Sequence, residues 1–213
     1  MLRYQHHFNF ELAVAKQSLS ADFIKEHVGK LFGMSLVCRY QKLTEKFIKD
    51  NLDLMDENIT NWHFISCNNK IKLSEKFIQA YKDKLSIKEI SQTNKLSEEF
   101  IRENINEIDF YGICKKSKLS NEFIREFKDK LSDYCLVRYQ QLSEDIIESL
   151  SDLYSWVDVF AYQPISAEFI IRHMDKVRKN RFNLNALKRN KKINQQELED
   201  KGIYVAIKMM GNM

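Results

Sequence analysis

Glycine, proline and long apolar runs are scarce in this chain of 213 residues. It contains five glycines and a single proline, which argues against a loop-rich or all-β fold because the turns of such folds depend on these residues. No apolar stretch approaches the roughly 20 residues needed to cross a bilayer. The first residues also lack the basic-then-apolar layout of a secretory signal. We therefore expect a cytoplasmic protein without a membrane segment.

Sequence signatures of catalysis and metal binding are missing as well. The four cysteines are widely spaced, at Cys38, Cys67, Cys114 and Cys135. Structural zinc sites take ligands paired closely in sequence, and disulfides rarely persist in a reducing compartment. There is no glycine-rich phosphate loop, nucleophile elbow or HExxH helix. The sequence thus predicts no catalytic residue, no bound metal and no cofactor, and a protein that is not an enzyme.

A short phrase, Leu-Ser-x-x-Phe-Ile, recurs along the chain. It is clearest at residues 96–101 and 119–124, which read LSEEFI and LSNEFI. Four consecutive intervals between copies are 23 residues long, and the others are 24, 30 and 28 residues. Such self-similarity at a nearly fixed period indicates a repeat architecture. The copies begin at Leu19, Leu43, Leu73, Leu96, Leu119, Leu142, Ile165 and, less clearly, Ile193.

Each copy of the phrase has the features of a helix start. Its second residue is a preferred N-cap type, whose side-chain oxygen accepts a hydrogen bond from a free backbone N–H. The Leu before the cap and the Ile four residues after it are spaced as a hydrophobic staple. Phe123, in the fifth position of its copy, is expected to be a buried core residue. The predicted caps are Ser20, Thr44, Ser74, Ser97, Ser120, Ser143, Ser166 and Asn194.

Apolar residues further along each copy predict a second helix. We interpret each unit as a helix of about ten residues, a tight turn and a helix of about seven residues. Helices this short are marginal alone, so neighbouring hairpins must stack to bury their apolar faces. The predicted fold class is therefore all-α, an α-solenoid of about seven stacked short helical hairpins of 23 residues or slightly more.

The sequence also predicts a division of the chain into three parts. Residues 1–18 resemble the second half of a hairpin and form an N-terminal cap, residues 19–192 form the repeat array, and residues 193–213 form a C-terminal cap. The 30-residue copy at Leu43 has extra residues, around MDENITN, that either bulge out or lengthen a helix. After Ile165 the pattern is lost. The apolar end at 202–213 either folds back on the array or pairs with another chain.

Positive charge is concentrated near the C-terminus. Residues 172–192 contain nine basic residues against Asp175 alone, whereas the whole chain has a net charge of only +4. Such a cluster can bind phosphate backbones or an acidic protein surface. It can also be a solvated helical face, or a counter-charge for the acidic QQELED segment that follows. The candidate binding residues are Arg172, Lys176, Arg178, Lys179, Arg181, Lys188, Arg189, Lys191 and Lys192.

The tripeptide Arg-Tyr-Gln recurs along the chain, at residues 3–5, 39–41 and 138–140. The last two occurrences stand just before a new copy of the phrase, as do Tyr162 and Gln163, which repeat its last two residues. In a structural interpretation, the tyrosine packs in the turn between units and the glutamine bonds free carbonyls at helix ends. In a functional interpretation, Arg and Tyr line an interface, where both are frequent hot-spot residues.

The Leu-Ser-x-x-Phe-Ile units resemble the uncharacterised short helical-hairpin repeat proteins of phages, large DNA viruses and low-GC bacteria. The resemblance covers roughly residues 19 to 180 and implies a repeat scaffold without catalytic residues. If the protein is viral, the resemblance implies that it acts in the host cytoplasm and blocks a host or defence protein. We thus expect a protein partner first, and nucleic acid bound through residues 172–192 as the alternative. Whether the protein self-associates through residues 202–213 stays open.

Overall fold

The predicted all-α fold is confirmed by the structure, a computed structural model. It describes residues 10–30, 32–150, 155–179, 181–203 and 207. Over these residues the regular secondary structure consists of helices, apart from one isolated bridge between Val28 and Phe32. None of the described helices is long and apolar enough to cross a membrane.

The first helix of each repeat begins at the predicted cap. All eight predicted residues occupy N-cap positions, and in copies such as Ser120 the hydroxyl accepts from the backbone N–H three residues on (Phe123, 3.1 Å). Ser143 caps without this bond, and its hydroxyl instead accepts from Asn121. These first helices are α2 (Ala21–His27), α4 (Glu45–Lys49), α7 (Glu75–Ala80), α9 (Glu98–Glu103), α11 (Asn121–Glu126), α13 (Glu144–Ser149), α15 (Ala167–Arg172) and α18 (Gln195–Asp200).

The first helices are shorter than the expected length of about ten residues. α11, for example, has six residues, because the backbone leaves helical geometry at Phe127 and a turn follows. The predicted core is nevertheless formed, since Phe123 and Ile124 are both fully buried. Phe23 in the first copy is an exception. It is 40% exposed and stacks on His27, because no described first helix precedes α2 to cover it.

Consecutive repeats stack through their second helices. These are α1 (Phe10–Lys16), α3 (Met34–Tyr40), α6 (Ile59–Cys67), α8 (Ile87–Thr93), α10 (Phe110–Lys116), α12 (Asp133–Tyr139), α14 (Trp156–Tyr162) and α17 (Arg181–Arg189). The chain forms two compact units, Met1–Ser117 and Lys118–Met213. In the first unit α1, α3, α6, α8 and α10 pack in that order, and in the second α12, α14 and α17 do so. The place of α1 against α3 agrees with its prediction as half a hairpin.

Two repeats contain a third helix, in contrast to the predicted hairpin of two helices. The extra residues after Leu43 form α5 (Leu52–Asp56) rather than a bulge or a longer helix, and α16 (Met174–Arg178) occupies the same place after Ile165. In both, a buried Asn of the following helix donates to a backbone carbonyl: Asn61 to Leu54 (2.9 Å) and Asn183 to Lys176 (2.6 Å). The pattern is therefore not lost after Ile165. The repeat that begins at Ile165 has three helices, like the repeat that begins at Leu43.

A buried side chain at the end of each repeat ties it to the preceding one. The Oε1 atom of Gln163 accepts from the backbone N–H of Leu142 (2.9 Å), while its Nε2 atom donates to the carbonyls of Val137 and Gln140. Gln41 makes the same three kinds of bond: its Oε1 atom accepts from the backbone N–H of Leu19, and its Nε2 atom donates to the carbonyls of Val14 and Gln17. The predicted bonds of the glutamine to carbonyls at helix ends are thus confirmed for Gln41 and Gln163. Asn94, Ser117 and Gln140 are equivalent acceptors, and each accepts from the backbone N–H of the residue that begins its own repeat (Leu73, Leu96 and Leu119).

The predicted C-terminal cap is described only in part. α18 is followed by a turn, and both Ile203 and Ile207 are buried. The other residues of the 202–213 segment, Gly202 apart, lie outside the described residues, as does the question of self-association through them. The division into an N-terminal cap, an array and a C-terminal cap stays a prediction.

Candidate binding surface

The nine predicted basic residues lie on three consecutive helices of the second unit, or next to them. Three of the nine have their charged groups in internal contacts. The guanidinium of Arg172 pairs with Glu148 (3.0 Å) and Glu144 (3.4 Å). The hydrogen bond from Arg172, supported by one from His173, holds the pKa of the Glu148 carboxyl below its usual value. Arg172 is thus a tie between α13 and α15.

The ammonium groups of Lys176 and Lys192 are also held within the unit. That of Lys176 lies 3.3 Å from the carboxylate of Asp175 and 6.0 Å from the ring centre of Trp156. That of Lys192 donates to the carbonyl of Tyr162 (2.6 Å), just as Lys70 donates to Tyr40 in the other three-helix repeat. Lys70 lies in the first unit, outside the basic segment, and makes the same bond. The bond of Lys192 is therefore a structural feature of the three-helix repeats.

The other six basic side chains are exposed and make no ion pair with any residue in the described ranges. They lie along α17 and on the segments at its two ends. One aromatic residue, Phe182, is exposed among them. We call this set the basic surface: Arg178, Lys179, Arg181, Phe182, Lys188, Arg189 and Lys191.

The amphipathic pattern of α17 explains how the basic surface forms. Asn183, Leu184 and Leu187 are buried, where the helix packs against α14 and α16. The charged residues and Phe182 fall at spacings of one, seven and eight residues from Arg181, which places them on the opposite side of the helix. With a rise of 1.5 Å per residue, this exposed face extends over about 12 Å.

Phe182 is the most unusual member of the basic surface. Its side chain is 74% exposed, whereas the phenylalanines of the repeat phrase at positions 77, 100, 123 and 169 are buried. Because most of this ring stays in contact with water, it contributes little hydrophobic stabilisation to the fold. The exposure of Phe182 depends on how α17 is rotated against α14.

The acidic QQELED segment does not neutralise the basic surface among the described contacts. This segment is α18, and its Glu197 accepts from the backbone N–H of Ala167 (2.9 Å). On the neighbouring α15, Glu168 pairs with Lys201 (2.5 Å). Both interactions attach the C-terminal region to α15. The interpretation as an internal counter-charge therefore has no support in these contacts.

A second exposed cluster lies on α12 and α14 of the same unit. The guanidinium carbon of Arg138 lies 5.3 Å from the ring centre of Tyr134 and 4.9 Å from that of Tyr162. Tyr134 is 47% exposed and Tyr139 is 38% exposed. We call Tyr134, Arg138, Tyr139 and Tyr162 the tyrosine surface. Cation–π contacts of this kind orient the arginine while both rings stay accessible.

Carboxyl and thiol groups with raised pKa values occur in the described part of the chain. An open cleft of about 440 Å³ contains Asp133 and Asp158, and partial burial raises the pKa of Asp133. Burial also raises the pKa of Cys38 to about 12 and that of Cys67 to about 11, so both thiols are protonated near neutral pH. No group of three His, Cys, Asp or Glu residues in the described ranges is placed to hold a metal ion.

No protein-family model, curated protein or solved structure matches this chain. The resemblance to viral and bacterial helical-hairpin repeats therefore rests on the phrase Leu-Ser-x-x-Phe-Ile alone.

Proposed function

We propose that this protein is a non-enzymatic helical-repeat binding protein that docks an anionic macromolecular partner on the basic surface. The observation that carries the proposal is the set of six exposed cations without an ion pair to any described residue, grouped around an exposed phenyl ring. Like charges placed together repel one another, and a partner of opposite charge relieves that repulsion. The rest of the chain is net negative, so the positive charge that attracts such a partner is concentrated in this segment.

Retention on immobilised heparin, used as a polyanion probe, tests this proposal. We expect wild-type protein to be retained at low salt and released as salt rises, because displaced counterions make such binding salt-dependent. A variant with all six cations changed to Glu is expected to flow through. Its substitutions are Arg178→Glu, Lys179→Glu, Arg181→Glu, Lys188→Glu, Arg189→Glu and Lys191→Glu.

A matched control separates the surface from the net charge. It carries six Lys→Glu changes at exposed positions outside the basic surface and has the same net charge as the first variant. It is expected to be retained more strongly than that variant. Equal loss of retention in both, or no retention of wild type, would contradict the proposal. The control positions are Lys42, Lys76, Lys88, Lys95, Lys118 and Lys128.

The tyrosine surface supports a second candidate function, the binding of a protein partner. Tyrosine and arginine are enriched among interface hot spots, and here Tyr134, Arg138 and Tyr139 are exposed together on α12, with the half-buried Tyr162 of α14 beside Arg138. The resemblance to phage and large-DNA-virus repeats favours a host or defence protein, blocked by occlusion in the host cytoplasm.

Complex formation in nuclease-treated host lysate tests this second function. The expected result is a stoichiometric complex on gel filtration that is lost in the double variant Tyr134→Ala, Arg138→Ala. The control Tyr111→Ala removes an equally exposed tyrosine from the first unit and should leave the complex intact. A complex that survives the double variant would exclude the tyrosine surface.

A further inference from the structure

We infer that the basic surface binds single-stranded nucleic acid, with phosphates held by its cations and one base stacked on Phe182. This inference rests on the proposed function and specifies its partner. Two properties of the surface lead to it: the kinds of charged residue present, and the position of the exposed ring among them.

The composition of the surface favours phosphate over an acidic protein. Three of its six cations are lysines, a residue type that protein–protein interfaces contain less often than the remaining surface does. No carboxylate lies among the six in sequence between Arg178 and Lys191, although protein interfaces usually mix both signs of charge for specificity. A run of cations without interspersed acids is typical of surfaces that follow a phosphate backbone.

The position of Phe182 favours a single strand over a duplex. Its ring, 74% exposed, lies on the first turn of α17 with Arg181 beside it. Arg178 and Lys179 precede the ring, whereas Lys188 and Arg189 lie about two turns further on. Cations on both sides can hold successive phosphates while the ring meets the base between them. In a duplex, neighbouring base pairs cover the base faces, so the ring would face only groove edges or phosphates.

Asn185 adds a polar group at the same place. It follows Phe182 by three residues, which brings the two side chains to neighbouring positions on one helix face. Its side chain is half-buried, and an amide both donates and accepts hydrogen bonds. A base stacked on Phe182 would have its edge near this amide. The surface therefore offers the three contacts that single-strand binders combine: charge, an aromatic face and an edge contact.

Fluorescence anisotropy with a labelled mixed-sequence DNA of about 15 nucleotides tests the inference directly. We expect the single strand to bind more tightly than the same sequence as a duplex at equal salt. The logarithm of the binding constant should fall against the logarithm of salt concentration with a slope of up to about −4, the value for six phosphate contacts on a single strand.

The decisive variant is Phe182→Ala, which removes the ring and leaves all six cations in place. We expect it to weaken binding of the single strand by roughly 5- to 150-fold, the range for loss of one stacked base. Phe182→Tyr keeps an aromatic face and should bind like wild type. Tyr111→Ala, an exposed aromatic of the first unit, is the matched control and should have no effect. Because Phe182 is exposed, the thermal unfolding of the variants should match that of wild type.

Each other outcome has a definite meaning. If Phe182→Ala binds as tightly as wild type while the six-Glu variant loses binding, the surface recognises charge alone and the inference is overturned, although the proposed function stands. If the duplex binds at least as tightly as the single strand, or if poly-glutamate displaces the DNA at equal charge concentration, the inference is again overturned. If neither heparin nor DNA is bound, both the inference and the proposed function are wrong.

Discussion

Single side chains hold consecutive repeats together, and Gln163 shows how. It is fully buried, and its amide serves the backbone N–H of Leu142 and two carbonyls of the preceding repeat. A buried backbone group without a partner costs far more free energy than an average hydrogen bond contributes. The glutamine thus supplies partners for backbone groups at the junction of two repeats, so these repeats pack together without leaving the groups unpaired.

The substitution Gln163→Ala should therefore lower the free energy of unfolding by about 3 kcal/mol, because three backbone groups lose their partner at once. Urea denaturation of the full chain measures this loss. Gln79→Ala, at an exposed position of α7, is the control and should change the value by less than about 0.5 kcal/mol. A loss as small for Gln163→Ala as for the control would show that the buried amide is not needed.

Neighbouring second helices approach closely where a small residue permits it. A Cβ atom at Gly112 of α10 would lie 2.7 Å from the carbonyl oxygen of Ser91 and 2.8 Å from the Cα atom of Gln92, both in the backbone of α8. The start of α10 is bonded to the same helix, since the backbone N–H of Asp109 donates to the hydroxyl of Ser91 (3.0 Å). Glycine in this helix thus serves the packing between two repeats.

The substitution Gly112→Ala should destabilise the protein, although alanine usually stabilises a helix by about 0.5–1 kcal/mol relative to glycine. The clash is with backbone atoms, so we expect a net loss of about 1–3 kcal/mol, typical of overpacked cores. Gly112→Val should cost more. Urea denaturation provides the measurement, with Lys88→Ala on the exposed side of α8 as a control near zero. A gain in stability for Gly112→Ala would contradict the close packing of α8 and α10.

At the scale of the whole molecule, ion pairs connect several repeats to one another, whereas the six cations of the basic surface make no ion pair with a described residue. Carboxylates of several repeats pair with cations of another repeat, as in Asp56 with Lys84 (2.5 Å) and Glu168 with Lys201. Their hydrogen bonds to lysine hold the pKa values of Asp56 and Glu168 below their usual range. The basic surface has no such pairs among the described residues, which is why it stands out from the rest.

These pairs predict that the protein loses stability in acid. A carboxyl whose pKa is lower in the folded state stabilises the fold above its unfolded pKa of about 4, and this stabilisation is lost as the pH falls through the folded pKa. Asp133 has a raised pKa, so this one carboxyl favours the folded state in acid, against the effect of the paired carboxyls. Urea denaturation at pH 7 and at about pH 3 should show a lower free energy of unfolding at the acidic value.

The variant Asp56→Asn provides the control for this pH dependence. It removes one carboxyl with a lowered pKa, so the difference in stability between the two pH values should become smaller than in wild type. A difference that is unchanged in the variant would exclude Asp56 as a contributor. Stability that is equal at both pH values in wild type would contradict the prediction as a whole.

The sequence by itself determined the helix starts, the repeat and its core. A cap such as Ser120 and a staple such as Leu119 with Ile124 act between residues close in the chain, so local chemistry is enough to predict them. It did not reveal that the repeats starting at Leu43 and Ile165 share a third helix. Their sequences differ at most exposed positions, and the common features are buried groups such as Asn61 and Asn183 whose partners only the fold identifies.

The tertiary structure alone decided which of the predicted basic residues are available. Arg172, Lys176 and Lys192 look like the other six in the sequence, yet their charged groups are bound by Glu148, Asp175 and a backbone carbonyl. The exposure of Phe182 could not be predicted from the sequence either, because it depends on which face of α17 packs against α14 and α16. The sequence shows where each charged residue lies along the chain, but whether its side chain is buried or paired depends on residues distant in sequence. For this reason the fold class could be predicted from the sequence, whereas the extent of the basic surface could not.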